Sequence, residues 1–185
     1  MKTLCVLSLF LALACGDDQS KLVGVYVLDT WTENPDSCAS EGASILADQG
    51  QTHLVVKQFD FFGLDILSAS SCESLAECEE QLSSDALDLG GFNFEKGSDS
   101  KGWTGATVIA GGDPNGGDCS GQVRDFLMTA TEAEAVEIQT EVRSVSGFPR
   151  DSDGFCDTDS AQEAAEDVPC EALEVLTASP VEDEA

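Results

Sequence analysis

The chain has 185 residues, of which 36 are acidic and 8 are basic, and its formal net charge is −28 at pH 7. Nucleic acids and anionic lipid head groups are bound through Lys and Arg side chains, so this charge excludes both as partners of the protein surface. The length is sufficient for one domain with a hydrophobic core. We interpret the acidic surplus as a feature that keeps the surface strongly solvated.

The first residues have the pattern of an export signal. Lys2 supplies a positive charge, and an apolar run follows over residues 4–14. Its length is that of the apolar region of a signal peptide, and it is too short to cross a bilayer as a permanent helix. The run ends in Ala12-Leu13-Ala14-Cys15. This stretch resembles the lipobox of bacterial lipoproteins, with alanine where that family prefers leucine.

The resemblance implies cleavage before Cys15 and attachment of diacylglycerol to its sulfur, with an added acyl chain such as palmitate on the new N-terminus. Two or more acyl chains hold a protein firmly at a membrane. Gly16 stands where an aspartate would mark retention in the inner membrane, so we expect the outer membrane of a bacterial cell envelope. The expected organisation is a signal peptide over residues 1–14, a lipidated tether over 15–21, a β domain over 22–178 and an acidic tail over 179–185.

A second interpretation of the N-terminus is release as a secreted protein, because Ala12-Leu13-Ala14 also fits the A-x-A pattern of ordinary signal cleavage. The number of cysteines favours lipidation. Of the 8 cysteines, Cys5 leaves with the signal, and lipidation of Cys15 leaves an even number for disulfides. A secreted chain would carry one unmatched thiol.

The remaining cysteines indicate an oxidising compartment and disulfide bonds. They are Cys38, Cys72, Cys78, Cys119, Cys156 and Cys170. We prefer the local pairs Cys72–Cys78 and Cys156–Cys170, which leave Cys38 to pair with Cys119. Zinc binding is the alternative, but the sequence has no C-x2-C spacing and His53 is its only histidine.

The first half of the chain contains three strand-like segments and one helix. Residues 21–34 predict a first strand, and residues 53–67 predict two more with a break near residues 60–63. Ser74 and Glu77 form a capping box that predicts the start of a short helix.

The middle of the chain is rich in strand signals. Residues 86–97 alternate on both sides of Gly90-Gly91, where we expect a β-bulge. Residues 102–112 and 119–129 predict two further strands. The clearest alternation covers residues 136–143 and predicts a strand with one solvated face.

The last part predicts a short helix and a closing strand. Ser160 and Glu163 are the expected capping pair of the helix, Pro169 ends it, and residues 171–179 complete the sheet. The chain shows about eight strands, two short helices and no alternation of strands with helices. The predicted fold class is therefore mainly β, with one disulfide-linked antiparallel β-barrel or sandwich domain.

The first predicted strand carries a second resemblance. Residues 24–31, "GVYVLDTW", resemble the opening G-x-W motif of lipocalins, with Tyr26 at the place of the tryptophan. This resemblance favours the barrel and implies no binding residue.

The sequence contains two sets of residues with the side-chain chemistry of a catalytic site. A nucleophilic site would have to use His53, but the sequence lacks the G-x-S-x-G pattern, and we expect a surface or strand-edge histidine. Asp60 and Asp65 are the acidic pair with apolar neighbours that a glycoside-hydrolase-like site requires. Alternation of strand faces explains this pair more simply, so we predict no catalytic residues.

An acidic loop offers a candidate calcium site. Its carboxylates surround Gly154 in a D-x-D-G-x-x-D-x-D pattern, similar to the core of EF-hand and thrombospondin-type calcium loops, and calcium prefers several such oxygen ligands. The candidate ligands are Asp151, Asp153, Asp157 and Asp159. In an EF-hand alignment Pro149 and Ser160 occupy two ligand positions. We favour the alternative, an acidic approach to the N-terminus of the following helix.

The aromatic residues on the predicted strands form either the core or the lining of a ligand pocket inside a barrel, and the core is the more common role. They are Tyr26, Trp31, Phe59, Phe61, Phe62, Phe92, Phe94 and Trp103. The sequence thus predicts a membrane-anchored envelope protein that is a non-catalytic binding or structural module, whose partner is an envelope protein or an unidentified ligand. The alternatives are a lipocalin-like carrier of an apolar ligand and, less favoured, an envelope hydrolase.

Overall fold

The computed structural model describes residues 20–39, 41–61, 64–84, 91–112, 117–131 and 134–181. The predicted signal peptide, Cys15 and Gly90 lie outside these residues. The described part contains ten strands and three short helices. The strands are β1 (Gly24–Asn34), β2 (Ala43–Ser44), β3 (His53–Phe61), β4 (Leu64–Cys72), β5 (Phe92–Phe94), β6 (Lys96–Ser98), β7 (Gly102–Gly112), β8 (Cys119–Ala130), β9 (Val136–Phe148) and β10 (Ala172–Pro180). The helices are α1 (Leu46–Gln49), α2 (Leu75–Ser83) and α3 (Thr158–Glu166).

The strands form one antiparallel sheet that curls into a nearly closed barrel. The sheet order is β5-β4-β3-β1-β10-β9-β8-β7-β6, with β2 attached to β1. Its two terminal strands, β5 and β6, are consecutive in the chain and are separated by Glu95 alone. The Glu95 amide donates a hydrogen bond of 3.0 Å to the Thr104 carbonyl. The mainly β prediction is confirmed, and of its two architectures the structure adopts the barrel.

Gly105 on β7 lies at a close approach between β5 and β7. A Cβ atom there would lie 1.8 Å from the Asn93 carbonyl oxygen, a distance that no side chain can tolerate. The absence of a side chain therefore lets the backbone of β5 approach β7 closely enough to complete this corner of the barrel.

The alternating pattern of β9 divides its residues between the two faces of the barrel wall. Val136, Ile138, Thr140 and Val142 are buried, while the residues between them are half-buried. This confirms the predicted strand and shows that its apolar face points into the barrel.

Apolar side chains fill the barrel interior. Phe92 and Phe126 make an edge-to-face contact with ring centroids 5.2 Å apart, and Phe94 lies 6.3 Å from the same ring. Such contacts stabilise beyond the burial of apolar area alone. The buried members of this cluster are Leu22, Tyr26, Leu28, Leu54, Val56, Leu67, Ala69, Phe94, Trp103, Phe126, Met128, Val136, Ile138, Leu176 and Ala178.

The segment that precedes β1 closes one end of the barrel. Leu22 is 3% exposed and belongs to the interior cluster. Asp99, in the β6–β7 turn, accepts hydrogen bonds from the Ser20 hydroxyl (2.6 Å), the Lys21 amide (2.7 Å) and Trp103 Nε1 (3.0 Å). The predicted tether reached residue 21, but these contacts place Ser20 and Lys21 in the folded domain.

Asp99→Asn should lower the free energy of unfolding at neutral pH by about 1–2 kcal/mol, because bonds to a carboxylate are lost and partial exposure screens the rest. Burial raises the pKa of Asp99, but the bonds from Ser20, Trp103 and the Lys21 amide, with the Lys21 charge, outweigh burial and lower this pKa below its usual 3.8. Because the pKa of Asp99 is lower in the folded than in the unfolded protein, its carboxylate stabilises the fold at pH values above the unfolded pKa. This stabilisation is lost as the pH falls through the folded pKa.

Urea titrations at pH 7 and near pH 3 measure this effect. The difference in the free energy of unfolding between wild type and Asp99→Asn should be smaller near pH 3 than at pH 7. Asp153→Asn, which changes an exposed carboxylate, is the matched control and should change the free energy of unfolding at pH 7 by less than about 0.5 kcal/mol. An Asp99→Asn difference that is equally large at both pH values would contradict this role of the carboxylate.

Two helices pack on the outside of the barrel. The α2 helix begins at Ser74, whose Oγ accepts a hydrogen bond from the Glu77 amide, and Cys78 packs it against Val55 and Cys72. The predicted N-cap is confirmed. The α3 helix packs through Ala161 and Ala165 on a second outer cluster that contains Val123, Val145 and Phe148.

Other boundaries differ from the prediction. Asp157, and not the predicted pair Ser160 and Glu163, caps α3, because its side chain accepts hydrogen bonds from the Asp159 and Ser160 amides. The predicted acidic tail began at residue 179, but β10 continues to Pro180, which lies opposite Tyr26 on β1.

The three disulfides confirm one predicted pair and show that two are wrong. Cys72 is bonded to Cys78 as predicted, whereas Cys38 is bonded to Cys170 and Cys119 to Cys156. The nine residues of α3 separate Cys156 from Cys170 by about 13 Å of helix length, which prevents the predicted local pair.

Strand register explains the pairs that form instead. Cys119 lies opposite Phe148 at the end of β9, and a tight turn in which Arg150 pairs with Cys156 returns Cys156 to that end. Asn34 at the end of β1 lies opposite Leu173 on β10, and this brings the next loop, with Cys38, to Cys170.

Candidate functional site

A groove of about 890 Å³ lies on the outside of the barrel, beside α3. Its floor is the outer face of β7, β8 and β9, and its walls are α3 with the segment after it and the β5–β6 corner. This volume is within the range of small-molecule sites. The lining residues are Glu95, Lys96, Thr104, Gly105, Ala106, Asp125, Phe126, Leu127, Gln139, Glu141, Arg143, Gln162, Ala165, Glu166, Val168, Pro169 and Cys170.

A three-residue ion cluster occupies the floor of the groove. Asp125 on β8 lies directly opposite Glu141 on β9, a placement that is unfavourable for two like charges. Arg143 offsets this repulsion, because its guanidinium contacts Asp125 Oδ2 at 2.5 Å and also forms an ion pair with Glu141. The Arg143 side chain is 19% exposed, so its charge is largely used by these two carboxylates.

The remaining lining combines apolar and polar groups. Leu127, Ala165 and Val168 supply apolar surface, while Gln139 and Gln162 supply amides. The sulfur of Cys170 is held in a disulfide and is not a nucleophile. The groove is thus suited to binding through hydrogen bonds, charges and apolar contact. Sequence alternation placed Arg143 on a solvated face but gave no sign that α3 would lie beside it.

Five of the predicted aromatic residues belong to the core or pack against it. Tyr26, Phe94 and Trp103 are buried, and Trp31 and Phe92 pack against them. The Tyr26 hydroxyl donates a 2.9 Å hydrogen bond to the Leu22 carbonyl. Burial, followed by the charges of Glu134 and Asp99, raises the pKa of Tyr26.

Of the other aromatic positions, Phe59 is described and does not belong to the interior cluster. Phe59 is half-buried, with its ring centroid 4.8 Å from Lys57 Nζ. The side chain of Phe61 and the whole of Phe62 lie outside the described part of the chain.

The candidate acidic pair is at the exposed end of the β3–β4 hairpin. Asp60 and Asp65 lie directly opposite each other, and both are exposed. Asp65 accepts a 3.1 Å hydrogen bond from Gln58 Nε2. Neither carboxyl group occupies the apolar pocket that such a catalytic pair requires.

His53 is the first residue of β3, where it is half-buried and paired with Val27 on β1 as well as with β4, so the expected strand-edge position is wrong. Its Nδ1 lies 2.7 Å from Thr52 Oγ1, and across the strands it faces Cys72, whose sulfur is bonded to Cys78. The Thr52 hydroxyl also donates a hydrogen bond to the Glu73 carbonyl. These contacts describe a structural hydrogen-bond network at the start of β3.

The acidic loop uses two of its four candidate calcium ligands to bond the backbone. Asp151 Oδ1 accepts hydrogen bonds from the Asp153 and Phe155 amides, each 2.9 Å. Asp157 caps α3, and the amide and hydroxyl of Ser160 together with the Asp159 amide lower its pKa. Within the described ranges, no three His, Cys, Asp or Glu side chains come together as a metal site. The favoured alternative, an acidic approach to α3, agrees with the Asp157 cap.

No protein family, curated protein or solved structure matches this chain. Among the described residues, no helix combines the length and the apolar character needed to span a membrane. Disulfides that link distant parts of the barrel fit a protein that folds outside the cytoplasm.

Proposed function

We propose that this protein is an exported bacterial lipoprotein that acts as a non-catalytic binding module of the cell envelope and binds through the outside of its barrel. The observation that carries the proposal is the contrast between the two sides of the barrel wall. The interior holds packed side chains such as Leu54, Leu67 and Met128, each 0% exposed. The outer wall carries the groove beside α3, which combines apolar surface with hydrogen-bonding groups.

Two features support export and anchoring. The residues Ala12-Leu13-Ala14-Cys15 follow an apolar run of signal-peptide length. The Cys38–Cys170 and Cys119–Cys156 disulfides are typical of proteins that fold in an oxidising compartment. Lipidation of Cys15 would hold the acidic domain at a membrane whose head groups it does not attract, and the outer membrane is the expected location.

Cys15→Ser should move the protein from the membrane fraction to the soluble fraction of a bacterial cell, because the acyl chains can no longer be attached. Cys5→Ser changes the other N-terminal cysteine, within the apolar run, and is the matched control that should remain at the membrane. Immunoblots of the fractions, with and without detergent extraction, measure both. A Cys15→Ser protein that stays with the membrane as fully as wild type would contradict the anchor.

A lipocalin-like carrier is the second candidate, and one observation favours it. The β1, β3, β4, β7, β8, β9 and β10 strands and the β5–β6 pair follow one another around the barrel in chain order. These are eight strand positions, if the β5–β6 pair is counted as one. Barrels of about eight strands have room inside for side chains or for one small ligand. The packed aromatic interior supports the first of these uses.

A further inference from the structure

Among the described residues, one edge of β7 has no strand partner over most of its length. Its first residues pair with β6, from Gly102 to Thr104, and its other side pairs with β8 up to Gly112. No described residue pairs with residues 106–112 on the side away from β8. Ile109 is 61% exposed in this segment, and Thr107 and Ala110 are exposed as well.

The β7 sequence lacks two features that normally protect an edge strand. Exposed edges are usually blunted by charged side chains or proline. The β7 sequence, "GWTGATVIAGG", contains neither, although 24% of the residues in the chain are charged. Within the described part of the chain, the amide and carbonyl groups of residues 106–112 that point away from β8 have no strand partner, and such groups are a template for an added strand.

The charges around this edge favour a basic occupant. The α3 helix packs on the outer side of β7 at Val108, and its exposed charges, Asp159, Glu163 and Glu166, are all acidic. Two arginines lie nearby, but Arg124 is paired with Glu174 at 3.7 Å, and Arg150 donates to the Gly117 and Gly154 carbonyls. With a net charge of −28, a second copy of this chain would be repelled over long range.

We propose that the edge of β7 over residues 106–112 binds an extended segment of a partner polypeptide as an added strand, and that this segment carries Lys or Arg on alternate residues. The backbone hydrogen bonds supply the pairing, and the acidic surroundings select the charge. This edge adjoins the groove on the outer wall, with which it shares Ala106. Its pairing uses backbone groups of β7, so the proposal does not rest on ligand binding in the groove or on lipidation.

A labelled nine-residue peptide with alternating valine and lysine tests the proposal against the full-length protein at about 0.15 M salt, where long-range attraction is screened. We expect saturable binding by fluorescence anisotropy. The same peptide with N-methyl groups on alternate amides keeps its charge but loses one row of hydrogen bonds, and should bind at least about tenfold more weakly. A peptide with glutamate in place of lysine should not bind.

Ile109→Lys places a like charge beside the added strand and should weaken binding roughly fivefold or more. Leu64→Lys makes the same charge change at a side chain that is 64% exposed on β4, and should leave binding unchanged. Equal binding of the N-methylated peptide, or equal losses in both lysine variants, would show charge attraction alone and overturn the proposal. A wild-type dimer that Ile109→Lys converts to a monomer in sedimentation would also overturn it, in favour of a second copy.

Discussion

Replacing Cys38 and Cys170 together by serine should lower the free energy of unfolding by about 4–5 kcal/mol. This disulfide joins residues 132 positions apart, so its removal restores much conformational freedom to the unfolded chain. It also ties the loop after β1 to the start of β10, where the first and last strands of the barrel meet. Urea unfolding of the oxidised protein, followed by tryptophan fluorescence, measures the change.

The double replacement of Cys72 and Cys78 is the matched control. That disulfide spans only 6 positions, and the same dependence on loop length predicts a loss of about 2 kcal/mol. It also fastens only α2 to the outer wall. Losses of the same size for the two double variants would contradict the importance assigned to the Cys38–Cys170 link.

Phe94→Ala should cost about 3–5 kcal/mol of folding stability. Phe94 is 0% exposed inside the barrel and lies beside the Phe126 ring, so truncation removes apolar burial and leaves a cavity. Phe155→Ala is the control, because Phe155 is 72% exposed and its loss should change stability by less than about 0.5 kcal/mol.

The same variant separates a filled barrel from a carrier. An engineered apolar cavity can bind small apolar molecules such as benzene or xenon. Benzene should therefore raise the melting temperature of Phe94→Ala and leave that of wild type unchanged. A carrier with a preformed cavity would show the opposite pattern, with clear stabilisation of wild type and a small cost for the Phe94 truncation.

The sequence predicts a strand wherever one face of that strand is buried. The alternation from Val136 to Arg143 predicted β9 because its apolar residues point into the barrel and its polar residues point outward. The Ser74 cap was readable because its hydrogen bond to the Glu77 amide is local. The Cys72–Cys78 link was readable for the same reason, since 6 positions separate its two cysteines.

The local sequence pattern does not predict features that depend on contacts between distant parts of the chain. The choice of Cys170 for Cys38 follows from the pairing of β1 with β10, which no local pattern encodes. The groove depends on where α3 packs. The close approach of β5 to β7 at Gly105 is likewise a contact between distant parts of the barrel wall. The true cap at Asp157 was missed because Ser160 offered an equally good local signal three residues later.

The intact mass of the full-length protein, extracted from bacterial membranes and measured before and after reduction, tests the central claim most directly. We predict a chain that begins at Cys15, carries the mass of its acyl groups and gains about six hydrogens on reduction, as three disulfides require. An unmodified N-terminus on a protein found in the soluble fraction would contradict the lipoprotein assignment. A mass that reduction leaves unchanged would contradict folding in an oxidising compartment.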